Sequence, residues 1–313
     1  MINIRRYTSE DNVLWNQLVN GSRNGMFMFN RNYMDYHADR YEDYSLMFFK
    51  ENELISVLPA SLHNRIEVRS HGGLTFGGLI SAYAIKQQTM GECFEELIKY
   101  LRNNKIERLI YKPIPYIYHS FPCQEDLYML WRNNAVVYRR DVSTVIDLTN
   151  DIIKLPKGRK AQISRAKREG IVVEKSTDFH TFIALENQVL EKHHQTKAVH
   201  TAEELQLLHS RFPEQICLYA AMYKNEMVAG VLLYVYDNLV HTQYMGSSDF
   251  SRENGGLDLI IATIIDEYKG KKQYLDFGIS TVDAGWTLNM GLVSQKESFG
   301  GRSVMYDFYE LVV

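Results

Sequence analysis

No stretch of the 313-residue chain stays apolar for the roughly 18 consecutive residues that a membrane-crossing helix needs. The opening MINIRRYTSEDN has no apolar leader core, so the sequence predicts a cytoplasmic protein with no membrane span. Cysteine is scarce. Cys93, Cys123 and Cys217 are odd in number, far apart and in apolar contexts, which argues against a disulfide framework or cysteine metal site and fits a reducing compartment. A net charge of -3 excludes a globally basic nucleic-acid binder, and no DNA partner is expected. There is no Ser-His-Asp signature, Walker loop or strand-bound Gly-x-Gly-x-x-Gly. His193, His194 and His200 lack the carboxylate or cysteine spacing of a metal site, so no metal is expected.

What is present is a repeated order of elements. The first half reads as two short helices, the hairpin SLMFFK-ENE-LISVLPASLH, a Gly-bearing strand region RIEVRSHGGLTFGGLISA, a helix over 91–102 and the strand ERLIYKPIP. The second half opens on the basic helix KLPKGRKAQISRAKREG and the strand IVVEKS. It then follows the same order: a helix over 178–194 with Phe179, Phe182, Ile183 and Val189 inward, a Thr201-capped helix, the hairpin QICLYAAMY-KNE-MVAGVLLYVYD, a strand, a helix and the strand YLDFGIS. A chain of this length accommodates two ordinary domains, and no Pro/Gly/Ser-rich linker parts them. We expect an α/β (α+β, mixed-sheet) fold with two similar domains, 1–148 and 149–313.

The most informative stretch is LVHTQYMGSSDFSRENGGLDLIIATIIDEYK, residues 239–269. It reads as a buried strand, a polar turn and an amphipathic helix with Leu257, Ile260, Ile261, Ile264 and Ile265 at spacings of three and four. Gly255 and Gly256 at the helix entrance leave backbone N–H groups unshielded, where the helix dipole adds partial positive charge that suits a phosphate. The plain alternative is that the two glycines only let the chain turn.

This order of elements resembles that of the GNAT acyltransferase domain, and its doubling resembles the FemAB-type tandem GNAT proteins. That group includes aminoacyl-tRNA-dependent peptidyltransferases of cell-wall synthesis. The likeness lies in KGRKAQISRAKREGIVVEKS, YMGSSDFSRENGGLDLIIATIIDEY, YLDFGIS and LNMGLVSQKESFGGRSVMYDFY, and in SHGGLTFGGLI of the first half. It implies two tandem GNAT-like domains, with the donor site in the second. Arg252, Asn254, Gly255, Gly256 and Leu257 fall where the family's pyrophosphate loop lies. The Arg-x-x-Gly spacing is kept and the next small residue is adjacent rather than two on. The implied co-substrate is an acyl-CoA. The helical arm common among tRNA-dependent members is not visible in this sequence, which makes tRNA the second choice of donor.

Acyl transfer to an amine needs a held donor, a deprotonated nitrogen and support for the developing oxyanion. Asp276, inside an apolar strand, is the expected general base or acceptor anchor, against the plainer reading of a hydrogen-bonded structural carboxylate. Tyr244 is the expected proton donor to the leaving thiolate, against a core tyrosine. His241 and Gln243 on the central strand, Lys296 and Glu297 before Phe299, and Arg165 on the basic helix are expected to bind substrate. Lys296 and Glu297 can equally pair with each other on the surface. Lys157, Arg159, Lys160, Lys167 and Arg168 extend the basic helix, which suits an anionic partner or a solvated face. The expected function is N-acyl transfer to an amino group of a sugar or cell-envelope precursor, the acceptor being a small molecule such as a nucleotide-linked or lipid-linked sugar. The alternatives are aminoacyl-tRNA-dependent transfer and a non-catalytic tandem binding module.

Overall fold

The computed structural model describes residues 1–149, 155–194 and 198–313, without the side chains of residues 189 and 192–194. Val189, His193 and His194 are therefore outside what is described here. The chain forms two compact units. One is Met1–Asp141 with Thr281–Thr287 and Met305–Val313; the other is Val142–Ser280 with Leu288–Val304.

The first unit contains β1 (Ile2–Arg6), α1 (Asn12–Asn20), α2 (Arg31–Met34), β2 (Leu46–Lys50), β3 (Glu53–Leu58), β4 (Ser61–His63), β5 (Glu67–Arg69), β6 (Ile80–Ser81), α3 (Gln87–Asn103), β7 (Arg108–Tyr111), α4 (Glu125–Arg132) and the start of β8 (Val136–Asp147). The β2–β3 turn places Glu51 and Asn52 at φ 51 and 67, the paired left-handed geometry that matches the twist of a tight hairpin. Alternate residues of β2, together with one face of α3 (Cys93, Phe94, Leu97, Leu101), form a core with Leu58, Leu109 and Tyr111. The region expected as Gly-bearing strand is ordered as strand only at β5 and β6. Between them, residues 70–79 loop over the end of β7, tied by Gly77 N–H to the Lys112 carbonyl (2.8 Å) and Leu79 N–H to the Tyr111 hydroxyl (2.7 Å).

The second unit contains the end of β8, α5 (Lys157–Arg168), β9 (Val172–Ser176), α6 (Phe179–His194), α7 (Ala202–Arg211), β10 (Ile216–Tyr223), β11 (Glu226–Val235), β12 (Leu239–Ser247), α8 (Asp249–Asn254), α9 (Gly256–Tyr268), β13 (Tyr274–Ile279), α10 (Met290–Glu297) and the start of β16 (Arg302–Val312), while the small strand β14 (Thr281–Val282) and the first residue of β15 (Thr287–Leu288) belong to the first. Its strands run β8-β13-β12-β11-β10-β9. All neighbours are antiparallel except β12 and β13. Lys224 and Asn225 repeat the left-handed hairpin turn. On one face, Ile260, Ile261 and Ile264 of α9 pack on Val231, Leu233 and Val240. On the other, α6 comes so close at Phe182 that a Cβ on Gly230 would sit 2.4 Å from its ring.

The repeated order of helices, hairpin, strand, helix and strand is thus present in each unit. Two expectations change. The polar turn after the central strand contains a short helix, α8, started by Ser248, whose hydroxyl accepts from Ser251 N–H. The expected boundary at 148/149 differs from the compact units, because the end of the chain completes the first one. Tyr309–Val312 pairs with β7, and Leu311 is buried in the first unit's core.

Candidate active site

The second unit holds a fork between two strands. β12 and β13 pair in parallel only over Leu239–His241 and Tyr274–Asp276. Beyond that last rung β12 continues to Ser247 without β13 beside it. The divergence has a local cause. After Asp276, Gly278 turns at φ 72 and the strand rejoins β8 through Ile279 and Ser143. Lys296 reaches in from α10 and donates to the carbonyls of Gly278 (2.9 Å) and Ile279 (2.8 Å).

His241 and Asp276 stand at the crotch of this fork, as partners on the last paired rung. Asp276 is fully buried. Its Oδ1 accepts from the Ser143 hydroxyl and from Gly278 N–H (2.9 Å), and its Oδ2 lies 2.7 Å from His241 Nδ1. A carboxylate so placed fixes the imidazole as the tautomer with its proton on Nδ1. Lys296 is buried too, and burial lowers its pKa to about 8 while the nearby Asp276 charge acts the other way.

Further along β12, a bulge between the pairs Leu232–Tyr244 and Leu233–Thr242 sets Gln243 out of register. Tyr244 then faces the α6–α7 side, where its hydroxyl bonds His200 Nδ1 at 2.7 Å. Burial raises the tyrosine pKa to about 12. Two residues on, Gly246 abuts α6: a Cβ there would lie 3.0 Å from Glu186 Oε2 and 3.4 Å from the Glu186 Cα. The Glu186 carboxyl is buried, its Oε2 has no hydrogen-bond partner among the described residues, and burial raises its pKa to about 7.

The sequence-predicted residues therefore divide. Asp276, His241 and Lys296 come together, and Tyr244 with Gln243 lies along the same strand. Lys296 and Glu297 do not pair: the lysine is buried at the fork, whereas Glu297 is exposed and has no charged partner among the described residues. Arg165 is exposed on α5, away from the residues gathered at the fork by contact.

The glycine corner behaves as a packing feature. Gly255 ends α8 and starts α9 at φ 76, and a Cβ on it would sit 2.4 Å from the carbonyl oxygen of Gln162. Helix α5 thus lies against this corner. Arg159 fastens it there by pairing with Asp258 in the first turn of α9 (2.6 Å), bonding Ser298 and stacking over Phe299. Asn254 is buried and donates back to the Phe250 carbonyl, Leu257 is half-buried against the core, and Arg252 is exposed with Asp249 3.3 Å away. The plain reading of Gly255 and Gly256, that they shape the chain, accounts for this geometry.

Sequence reasoning missed Ser143, Glu186 and the contact of His200 with Tyr244. Only Glu186 left a trace: it continues the inward row Phe179, Phe182, Ile183 at the next helical spacing, a carboxylate on an apolar stripe.

The mixed sheet of the second unit, with a helix on each face and a fork between two parallel strands, has a counterpart among solved structures. Its architecture is that of FemX: the chain superposes on the FemX crystal structure with a TM-score of 0.68 at 10% identity, covering 99% of this chain and 97% of that one. It is also similar to the C-terminal domain of what is described as a lysylphosphatidylglycerol synthetase from Agrobacterium fabrum (TM-score 0.62, 11% identity, 97% and 92% covered). A third likeness is to L-PGS from Bacillus licheniformis (TM-score 0.59, 12% identity, 86% and 83% covered). At these identities the likeness is one of fold. No known family model matches the chain, and no curated protein matches it. Among the described residues no helix is long and apolar enough to cross a membrane.

Proposed function

We propose that the chain transfers an acyl or aminoacyl group from a phosphate-bearing donor to an amine, with the reacting carbonyl held in the fork of the second unit. The observation that carries this reading is the end of the β12–β13 register at the rung occupied by His241 and Asp276. The free flank of β12 beyond it offers backbone N–H groups to a carbonyl oxygen as negative charge develops there. In the step itself, the amine nitrogen forms a bond to the carbonyl carbon and the bond to the leaving sulfur or oxygen breaks. His241 takes the proton from nitrogen, and Asp276 holds its ring and stabilises the imidazolium. Tyr244, hydrogen-bonded to His200, returns a proton to the leaving group. Gln243, at the bulge, and Lys296, which shapes the turn of β13, position these groups.

An acyl-CoA is the first donor to test, and a cell-envelope amino sugar precursor the first acceptor, in the cytoplasm. An aminoacyl-tRNA is the second donor, and one observation favours it. Lys157, Lys160, Arg165, Lys167 and Arg168 are exposed on α5, and no carboxylate among the described residues pairs with them. The test is transfer of labelled acetyl from acetyl-CoA, and of labelled amino acid from charged tRNA, to a panel of amino sugars and lysyl peptides. Transfer that disappears in His241→Ala supports the reading; equal transfer by wild type and His241→Ala, or none from either donor, overturns it.

A further inference from the structure

We propose that the Glu186 carboxylate is the seat of a primary ammonium group, carried either by the acceptor or by a transferred aminoacyl group. This deepens the transferase reading above and rests on it. The argument begins with what the carboxylate lacks. Glu186 is 5% exposed, and its Oε2 is sealed from solvent with no hydrogen-bond partner among the described residues. A buried carboxyl oxygen without a partner is costly and persists where a ligand supplies one. The cost is visible in its raised pKa, whose cause is burial alone.

Placement adds a direction. Glu186 meets β12 at Gly246, where the missing side chain lets α6 approach closely: a Cβ would stand 3.0 Å from Oε2 and 3.4 Å from the Glu186 Cα. Gly246 lies two residues beyond Tyr244, on the same face of the strand and roughly 7 Å along it. The charge of Glu186 makes a minor contribution to the raised pKa of Tyr244, which burial dominates. Tyr244 and Gly246 belong to the part of β12 that β13 does not accompany. The carboxylate therefore lies against the stretch of β12 that continues past the fork, at Gly246. A primary ammonium is compact, carries three donors and is cationic, which is what a single buried carboxyl oxygen can hold. A plain acetyl group offers it nothing.

The ammonium has two possible sources, and the experiment separates them with the full chain. Binding is measured for bulk tRNA charged with mixed amino acids and for the same material after N-acetylation with acetic anhydride. In parallel it is measured for the Nα-acetylated tripeptide Ala-Lys-Ala and its Nα,Nε-diacetylated form in the presence of coenzyme A. One free amine should bind at least tenfold more tightly than its acetylated form. The first pair responding identifies the donor as source; the second, the acceptor. In Glu186→Gln, which keeps the shape and removes the charge, the preference should fall to twofold or less. A wild-type chain that does not distinguish either pair overturns the proposal without recourse to a variant, and so does a preference that survives in Glu186→Gln. The readout is binding, so the proposal can fail while transfer dependent on His241 persists, and the two readings are told apart.

Discussion

Asp276 Oδ2 lies 2.7 Å from His241 Nδ1 across the last rung that joins β12 to β13. With Ser143 and the Gly278 N–H on its other oxygen, the carboxylate has three donors and no freedom to turn. The sequence suggested Asp276 as general base or acceptor anchor. In the function proposed above it holds the ring instead, because a carboxylate engaged on both oxygens is a poor proton acceptor and the imidazole is the group it presents.

Asp276→Asn should therefore keep the fold and lose turnover. An amide opposite Nδ1 can offer an N–H where the ring also carries one, which drives His241 to the other tautomer. Carboxylate-to-amide exchange behind an imidazole base costs up to about 10⁴ in kcat, with little change in KM. The ¹⁵N shifts of the His241 ring, read alongside the kinetics, check this. Unchanged tautomer and unchanged kcat together would mean that the pair is structural.

Gly255→Ala should destabilise the chain by about 2–3 kcal/mol, from left-handed backbone strain plus the clash at the Gln162 carbonyl. Urea denaturation of the second unit's transition measures it. The rival idea, a glycine kept only for phosphate contact, predicts normal stability with weakened donor binding.

Much of the fold was legible because it follows from local pattern. The period-two and period-3.6 rows gave the strands and helices, and the two turns Glu51-Asn52 and Lys224-Asn225 announced the hairpins. The chemistry at the fork was legible only in part. Lys296 and Glu297 are neighbours in sequence yet face apart, since adjacent helical residues point about 100° from each other. The Gly255-Gly256 pair suggested a phosphate cradle, but α5 lies against it, and a contact between elements far apart in sequence leaves no periodic trace. Ser143 reaches Asp276 from 133 residues away for the same reason. Glu186 was readable in principle, as the one acid in an apolar helical row.

That acid makes stability depend on pH in a direction opposite to most carboxylates. Its pKa rises from 4.5 unfolded to about 7 folded, so between those values the native state binds the extra proton and stability falls as pH rises. The wild-type chain should lose about 3 kcal/mol relative to Glu186→Gln between pH 4.5 and pH 7.5. Paired denaturation curves at the two pH values test this, and a difference that stays flat would show that the carboxyl is solvated or already paired.

The exposed cations of α5 decide between donors by their salt response. If Lys160, Arg165 and Lys167 touch phosphates of a charged tRNA, each releases counterions, and log K falls with log salt by about 0.7–0.9 per contact. Replacing all three with Gln should reduce that slope by about 2–3 while leaving acetyl-CoA binding within twofold. Arg159 is spared from the set because it pairs with Asp258 and stacks on Phe299, so its loss would unseat α5 from α9 rather than remove a contact with solvent. A slope that does not move in the triple variant would leave α5 as a solvated face. The aminoacyl-tRNA donor would then lose its structural support, because the fork itself favours neither a thioester nor an ester.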